Sequence, residues 1–109
     1  MTVGELTSKD EFRLLCAPHP EREIDGVYIG DLLSWVMGRA ETDNAWITIM
    51  SNLNVIAVAT LVDTSCVILA EGVMPDDEFL KTASAKEVNI VATDLSIYDA
   101  AIKLAGMKL

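Results

Sequence analysis

The chain has 109 residues and a mass of 11.8 kDa, enough for one domain, and its 51% hydrophobic and 23% charged residues exclude intrinsic disorder. Eight Lys+Arg against 17 Asp+Glu give a formal charge of −9. That balance argues against nucleic acid or an anionic membrane as partner, since both need clustered cations. With one His and two Cys, no metal site and no cofactor are expected.

In chain order, Val3–Lys9 reads as a short helix and Phe12-Arg-Leu-Leu-Cys16 as an extra strand. Pro18-His19-Pro20-Glu21-Arg22-Glu23 is a loop by its prolines and charge, and Ile24–Ile29 is extended. Asp31–Arg39 reads as a helix with Leu32, Leu33, Val36 and Ala40 inward. Trp46-Ile-Thr-Ile-Met50 is β-branched and apolar, a strand buried on both faces. Ser51-Asn-Leu-Asn54 supplies capping side chains to a buried helix over Val55–Val62. The strand Cys66–Ala70 and the loop Glu71-Gly72-Val-Met-Pro75 follow. Asp76 then caps a helix that carries Phe79, Leu80 and Ala83 on one face. Val88–Ala92 is the next strand. Ser96 and Asp99 resemble a capping box before a helix with Ile97, Ala101, Leu104 and Ala105 inward, stopped at Gly106. Strand starts near residues 46, 66 and 88 leave room for a crossover helix each time, which predicts an α/β fold with a mostly parallel sheet.

Cys16 and Cys66 lie far apart without a CxxC, the pattern of two reduced thiols in a cytoplasmic protein. The N-terminus lacks the basic-then-apolar order of a signal peptide. Asn44–Val62 is uncharged, but Ser51, Asn52 and Asn54 near its centre argue for two short elements and a polar turn over a membrane span.

Standard catalytic signatures are absent: no P-loop, no GxGxxG, no GxSxG and no HExxH. His19 has no paired nucleophile and reads as a solvated loop residue. Cys66 falls in an apolar strand, where thiols are inert. Asp76-Asp77-Glu78 matches the acidic first turn of any helix. Trp46 reads as core. Trp35 turns partly off the inward stripe of its helix, and beside Met37 it forms a candidate protein interface.

Ligands of parallel α/β sheets collect beyond the C-terminal strand ends, where helix N-termini point. The candidate ligand-binding residues there are Asn52, Asn54, Glu71, Gly72, Asp76, Thr93 and Ser96. The acids among them disfavour a heavily phosphorylated ligand without a cation. Every such helix also needs caps, so the same residue types would occur in an inert domain.

Five segments together resemble the DRTGG domain family: Gly26-Val-Tyr-Ile-Gly-Asp-Leu-Leu-Ser34, Trp46–Val62, Val67–Asp76 with its Gly-x-x-Pro-Asp turn, Val88–Thr93 and Ser96-Ile-Tyr-Asp-Ala-Ala101. They cover roughly three quarters of the chain, and their order and spacing are more specific than any one of them. The resemblance implies a single DRTGG-like α/β domain over 1–109, with a fold similar to the N-terminal domain of HPr kinase/phosphorylase. Family members serve as accessory domains in phosphotransacetylases and CBS-domain pyrophosphatases. Others stand alone, some encoded beside iron-only hydrogenase genes. A kinase role is rejected, because no phosphate-cradling loop exists here. Where the family has Asp-Arg after the first strand, this chain has Asn52-Leu53. Where Thr-Gly-Gly would follow the second, it has Ala70-Glu71-Gly72.

The expected function is a non-catalytic regulatory or adaptor module, homodimeric, acting with a metabolic or redox enzyme, with hydrogenase-related partners in view. The alternative is a sensor of a nucleotide or polar metabolite at the strand-end rim. A small enzyme ranks last.

Overall fold

The computed structural model describes residues 1–107. The elements run α1 (Val3–Leu6), β1 (Arg13–Cys16), β2 (Val27–Ile29), α2 (Leu33–Arg39), β3 (Ala45–Thr48), α3 (Leu53–Val62), β4 (Cys66–Leu69), α4 (Asp77–Ala85), β5 (Ile90–Ala92) and α5 (Ile97–Ala105). Five strands form one sheet in the order β1-β5-β4-β3-β2. The β2–β3, β3–β4 and β4–β5 pairs are parallel; β1 runs antiparallel on the β5 edge. The predicted α/β class and its mostly parallel sheet are what the structure has.

Consecutive parallel strands joined by right-handed crossovers place their helices on one face. Accordingly Val36 of α2, Val55 and Ala59 of α3, and Phe79 and Ala83 of α4 pack on Trp46, Val67, Leu69 and Ile90. The alternate strand residues point the other way, where Ile47, Ile68 and Val91 meet Val3 and Leu6 of α1 and Ala100 and Leu104 of α5. Both faces are covered, which is why β3 and β4 are buried at every position.

The N-terminal segment belongs to this core. Val3, Leu6, Phe12 and Ile24 are buried in it. The Ile24 amide bonds to the Met1 carbonyl, and the Val3 amide to that of Arg22. A reciprocal Thr2–Glu5 capping box starts α1.

Three details differ from the sequence reading. Leu32, expected inward, is 58% exposed: it is the extended N-cap of α2, outside the helical phase that buries Val36. In α5 Ala100 and Leu104 are buried with Ile97 and Ala101 partly buried beside them, while Ala105, at the edge of the expected arc, is exposed. The helix α3, expected to be buried, is buried on one side only. It is the middle helix of the α2–α3–α4 layer, and its outward face keeps Leu53 and Leu61 in solvent.

Candidate functional site

The rim beyond the C-terminal strand ends is built by the loops that follow β2, β3, β4 and β5. Each returns into a helix, so each must satisfy amides that have no partner within that helix. The residues expected to line a ligand site do this locally. The Asn52 side chain accepts from the Asn54 amide at 3.0 Å, Asp76 from Phe79 at 2.8 Å, and Ser96 from Asp99 at 3.0 Å. The Thr93 hydroxyl, fully buried, accepts from the Leu95 amide at 3.1 Å.

Four of the expected residues come together at one corner. The backbone turns left-handed at Glu71 and Gly72 (φ 61° and 74°). That turn lets the Glu71 amide reach the Leu95 carbonyl and the Gly72 amide reach the Thr93 carbonyl. The Glu71 carboxylate then accepts from the Ile97 amide at 3.0 Å, on the first turn of α5 beside Ser96. Asn52 and Asn54 stand at the start of α3, and Asp76 at the start of α4. Among the described residues, no hydrogen bond joins these three to the corner.

Two rim groups escaped the sequence reading. Asp31 receives the Thr48 hydroxyl at 2.6 Å and the Ile49 amide at 3.1 Å, tying the end of β2 to the end of β3. Their parallel register, Ile29 beside Ile47, brings them together, and no local motif announces it. Arg13 reaches the rim from β1 and holds Asp94 through two bonds of 3.2 Å. It places a guanidinium at the strand ends, though not in the loop after β3 where the family pattern has its Arg. The signal for it was the β1–β5 pairing, which spans most of the chain.

Two surface cavities lie outside the seven expected residues. One, about 290 Å³, lies beside the corner and is lined by Asp10, Glu11, Arg13, Asp94 and Leu95. Its acids outnumber its one cation. The other, about 230 Å³, is an apolar groove between α3 and α4. Among the described residues, no group of three His, Cys, Asp or Glu side chains is arranged to hold a metal ion. No described helix is long and apolar enough to cross a membrane.

At the opposite end of the sheet the charged side chains are paired too, while the buried Thr64 hydroxyl has no partner among the described residues. Arg22 binds the carboxylates of Asp43 and Asp63, the left-handed turns that feed β3 and β4. His19 lies between Glu21 (3.2 Å) and Glu87 (3.1 Å), and these bonds, Glu21's first, raise the imidazole's pKa. Its backbone is clamped by the buried Asn89, which accepts from the His19 amide and donates to its carbonyl. Burial pushes the Cys66 thiol up to about 12, so it stays protonated and inert. Trp46 is fully buried, with its indole N–H donating to the Gly30 carbonyl at 2.9 Å. Trp35 and Met37 are 52% and 45% exposed on α2, and the Arg39 guanidinium stacks 3.8 Å from the Trp35 ring centre.

No family model matches the chain, and no curated protein matches it. Among solved structures it is similar to the CBS and DRTGG domains of the regulatory region of a Clostridium perfringens pyrophosphatase, crystallised with the activator diadenosine tetraphosphate. The TM-score is 0.73 at 11% identity, over 93% of this chain and 44% of that one. The chain thus spans less than half the length of this neighbour. The likeness is one of fold, and it agrees with the fold that the DRTGG resemblance implies.

Proposed function

We propose that this chain is a non-catalytic regulatory or adaptor module, a cytoplasmic homodimer that acts by contact with a metabolic or redox enzyme, hydrogenase-related enzymes included. One observation carries this reading: at the strand-end rim, five of the seven expected ligand residues spend their side chains on the chain's own amides. A rim that satisfies itself fixes the loops and leaves few free donors for a small molecule. Support for a contact role comes from Trp35, half exposed on α2, a residue type that dominates interface energetics. The structural neighbour is part of a regulatory region.

The test is Trp35→Ala, followed by light scattering and by capture of partners from the source cell. The expected result is unchanged mass with capture lost. Capture at the wild-type level would show that α2 is not the contact surface.

A second reading, sensing of a nucleotide or polar metabolite, is favoured by the activator bound to the structural neighbour. It places the ligand among Asn52, Asn54, Glu71, Gly72, Asp76, Thr93 and Ser96. For an anionic ligand to take the start of α5, the Glu71 carboxylate would first have to leave the Ile97 amide.

A further inference from the structure

The outer face of α3 is unusual for this chain. At 100° per residue, Leu53, Asn54, Ala57, Thr60 and Leu61 share one arc, and all five are exposed. The helix carries no charged residue along its whole length, in a chain of formal charge −9. A surface helix normally presents its charges on such an arc. Leu53 is 41% exposed and Leu61 is 70% exposed.

We propose that this face is where two copies of the chain meet, α3 packed antiparallel on its copy about a two-fold axis at Ala57. The proposal rests on the homodimeric reading above and names its surface. In that arrangement position 61 of one copy lies opposite position 53 of the other. The protruding Leu61 side chain then faces the groove of about 230 Å³ whose walls include Leu53, Ile56, Ala57 and Thr60 of α3. Projection and hollow lie on the same helix, the self-complementarity a two-fold interface requires. Ala57 at the axis is small enough for the two helices to approach closely.

Charge selects the same occupant. Two copies of a strongly acidic chain repel wherever their carboxylates meet, so they associate best through a surface that carries none. A cationic partner would instead seek the acidic faces elsewhere. The other helices with exposed apolar pairs carry charge there: Tyr98 and Ile102 of α5 are interrupted by Asp99 and Lys103, and on α2, with Trp35 and Met37, the Arg39 guanidinium covers the Trp35 ring. A stable dimer buries about 800 Å² per partner, and the chain exposes 5572 Å². One helix cannot supply that area. The neighbouring α4, which forms the other wall of the groove through Thr82 and Lys86, extends the contact.

The experiment is light scattering of the intact chain at micromolar concentration, with Leu61→Glu, Ala57→Glu and Tyr98→Glu beside the wild type. Wild type and Tyr98→Glu should run at twice 11.8 kDa. The two α3 variants should fall to 11.8 kDa with an unchanged circular dichroism spectrum. Ala57→Cys, oxidised with copper–phenanthroline, should form a 57–57 disulfide, and Tyr98→Cys should not; this pair decides the matter if a glutamate variant misfolds. A wild type that runs as a monomer overturns the homodimer and the face together. A dimer that survives both glutamates, or that crosslinks at 98 and not at 57, overturns the face alone.

Discussion

The Glu71 carboxylate accepts a hydrogen bond from the Ile97 amide at 3.0 Å, so a side chain of the β4–α4 loop sits on the first turn of α5. An anionic ligand of this fold class would find such amides at a helix N-terminus. Here the protein supplies the anion itself, from a residue whose own backbone is left-handed. Glu71→Ala should therefore lower stability by about 1 kcal/mol through the lost cap, while Glu71→Gln, which keeps the acceptor, should lose less. Urea unfolding of the three proteins checks the order.

Gly72 continues the same turn at φ 74°. A Cβ there would stand 3.6 Å from Asp94 Oδ1, ordinary contact, so a substitution is opposed by the backbone and not by crowding. Gly72→Ala should destabilise by about 1–2 kcal/mol. Gly72→Asn should lose less, because Asn tolerates the left-handed region better. Thermal unfolding of both variants distinguishes conformational cost from steric cost.

The two tryptophans occupy opposite environments, and fluorescence should separate them. Trp46 is buried with its indole N–H on the Gly30 carbonyl, whereas Trp35 is half exposed. Trp35→Phe should leave a blue-shifted emission that acrylamide barely quenches. Trp46→Phe should leave the quenchable component and destabilise by about 1–3 kcal/mol for the orphaned carbonyl alone, with a further loss from the space left behind.

His19 is the chain's one histidine, so its titration can be isolated. Its bonds to Glu21 and Glu87 raise its pKa in the folded state above the ordinary 6.5. The protonated imidazole is therefore favoured by folding. Its contribution is fully present below pH 6.5 and is lost as pH rises through the raised value. The melting temperature should fall across that window in the wild type, and His19→Ala should remove that component of the pH dependence. A His19→Ala profile parallel to that of the wild type would contradict the assignment.

Local features of the fold were legible because they are local. Asn52, Asp76 and Ser96 are helix caps by residue type and position, and the structure uses each as one. The run Trp46–Met50 reads as a doubly buried strand, which holds through Thr48 and fails at Ile49, 41% exposed just past the strand end; Cys66–Ala70 reads as the next strand, and Cys66–Leu69 is one. Relations across the sheet were not legible. Arg13 and Asp94 meet only because β1 folds back on β5, and Arg22 gathers two turns that follow different helices. Leu32 has the hydrophobicity of an inward residue, yet α2 starts two residues later than expected, and as its extended N-cap Leu32 turns outward. The strand-end residues are ambiguous for a physical reason. A side chain that caps a helix and one that greets a ligand are drawn from the same short polar set, and only the position of its hydrogen-bond partner separates them.

The central claim is that the strand-end rim serves the chain's own backbone and that the protein works by contact. Its most direct test is a thermal-shift measurement against adenine and guanine nucleotides, with and without Mg²⁺. A ligand at a hundred times its dissociation constant adds about 2.7 kcal/mol to folding, which in a domain of this size moves the midpoint by roughly 10 °C or more. The account predicts midpoints that stay within experimental scatter for every nucleotide. A saturable shift, abolished by substitution of Glu71 or Thr93, would contradict it and establish the rim as a ligand site.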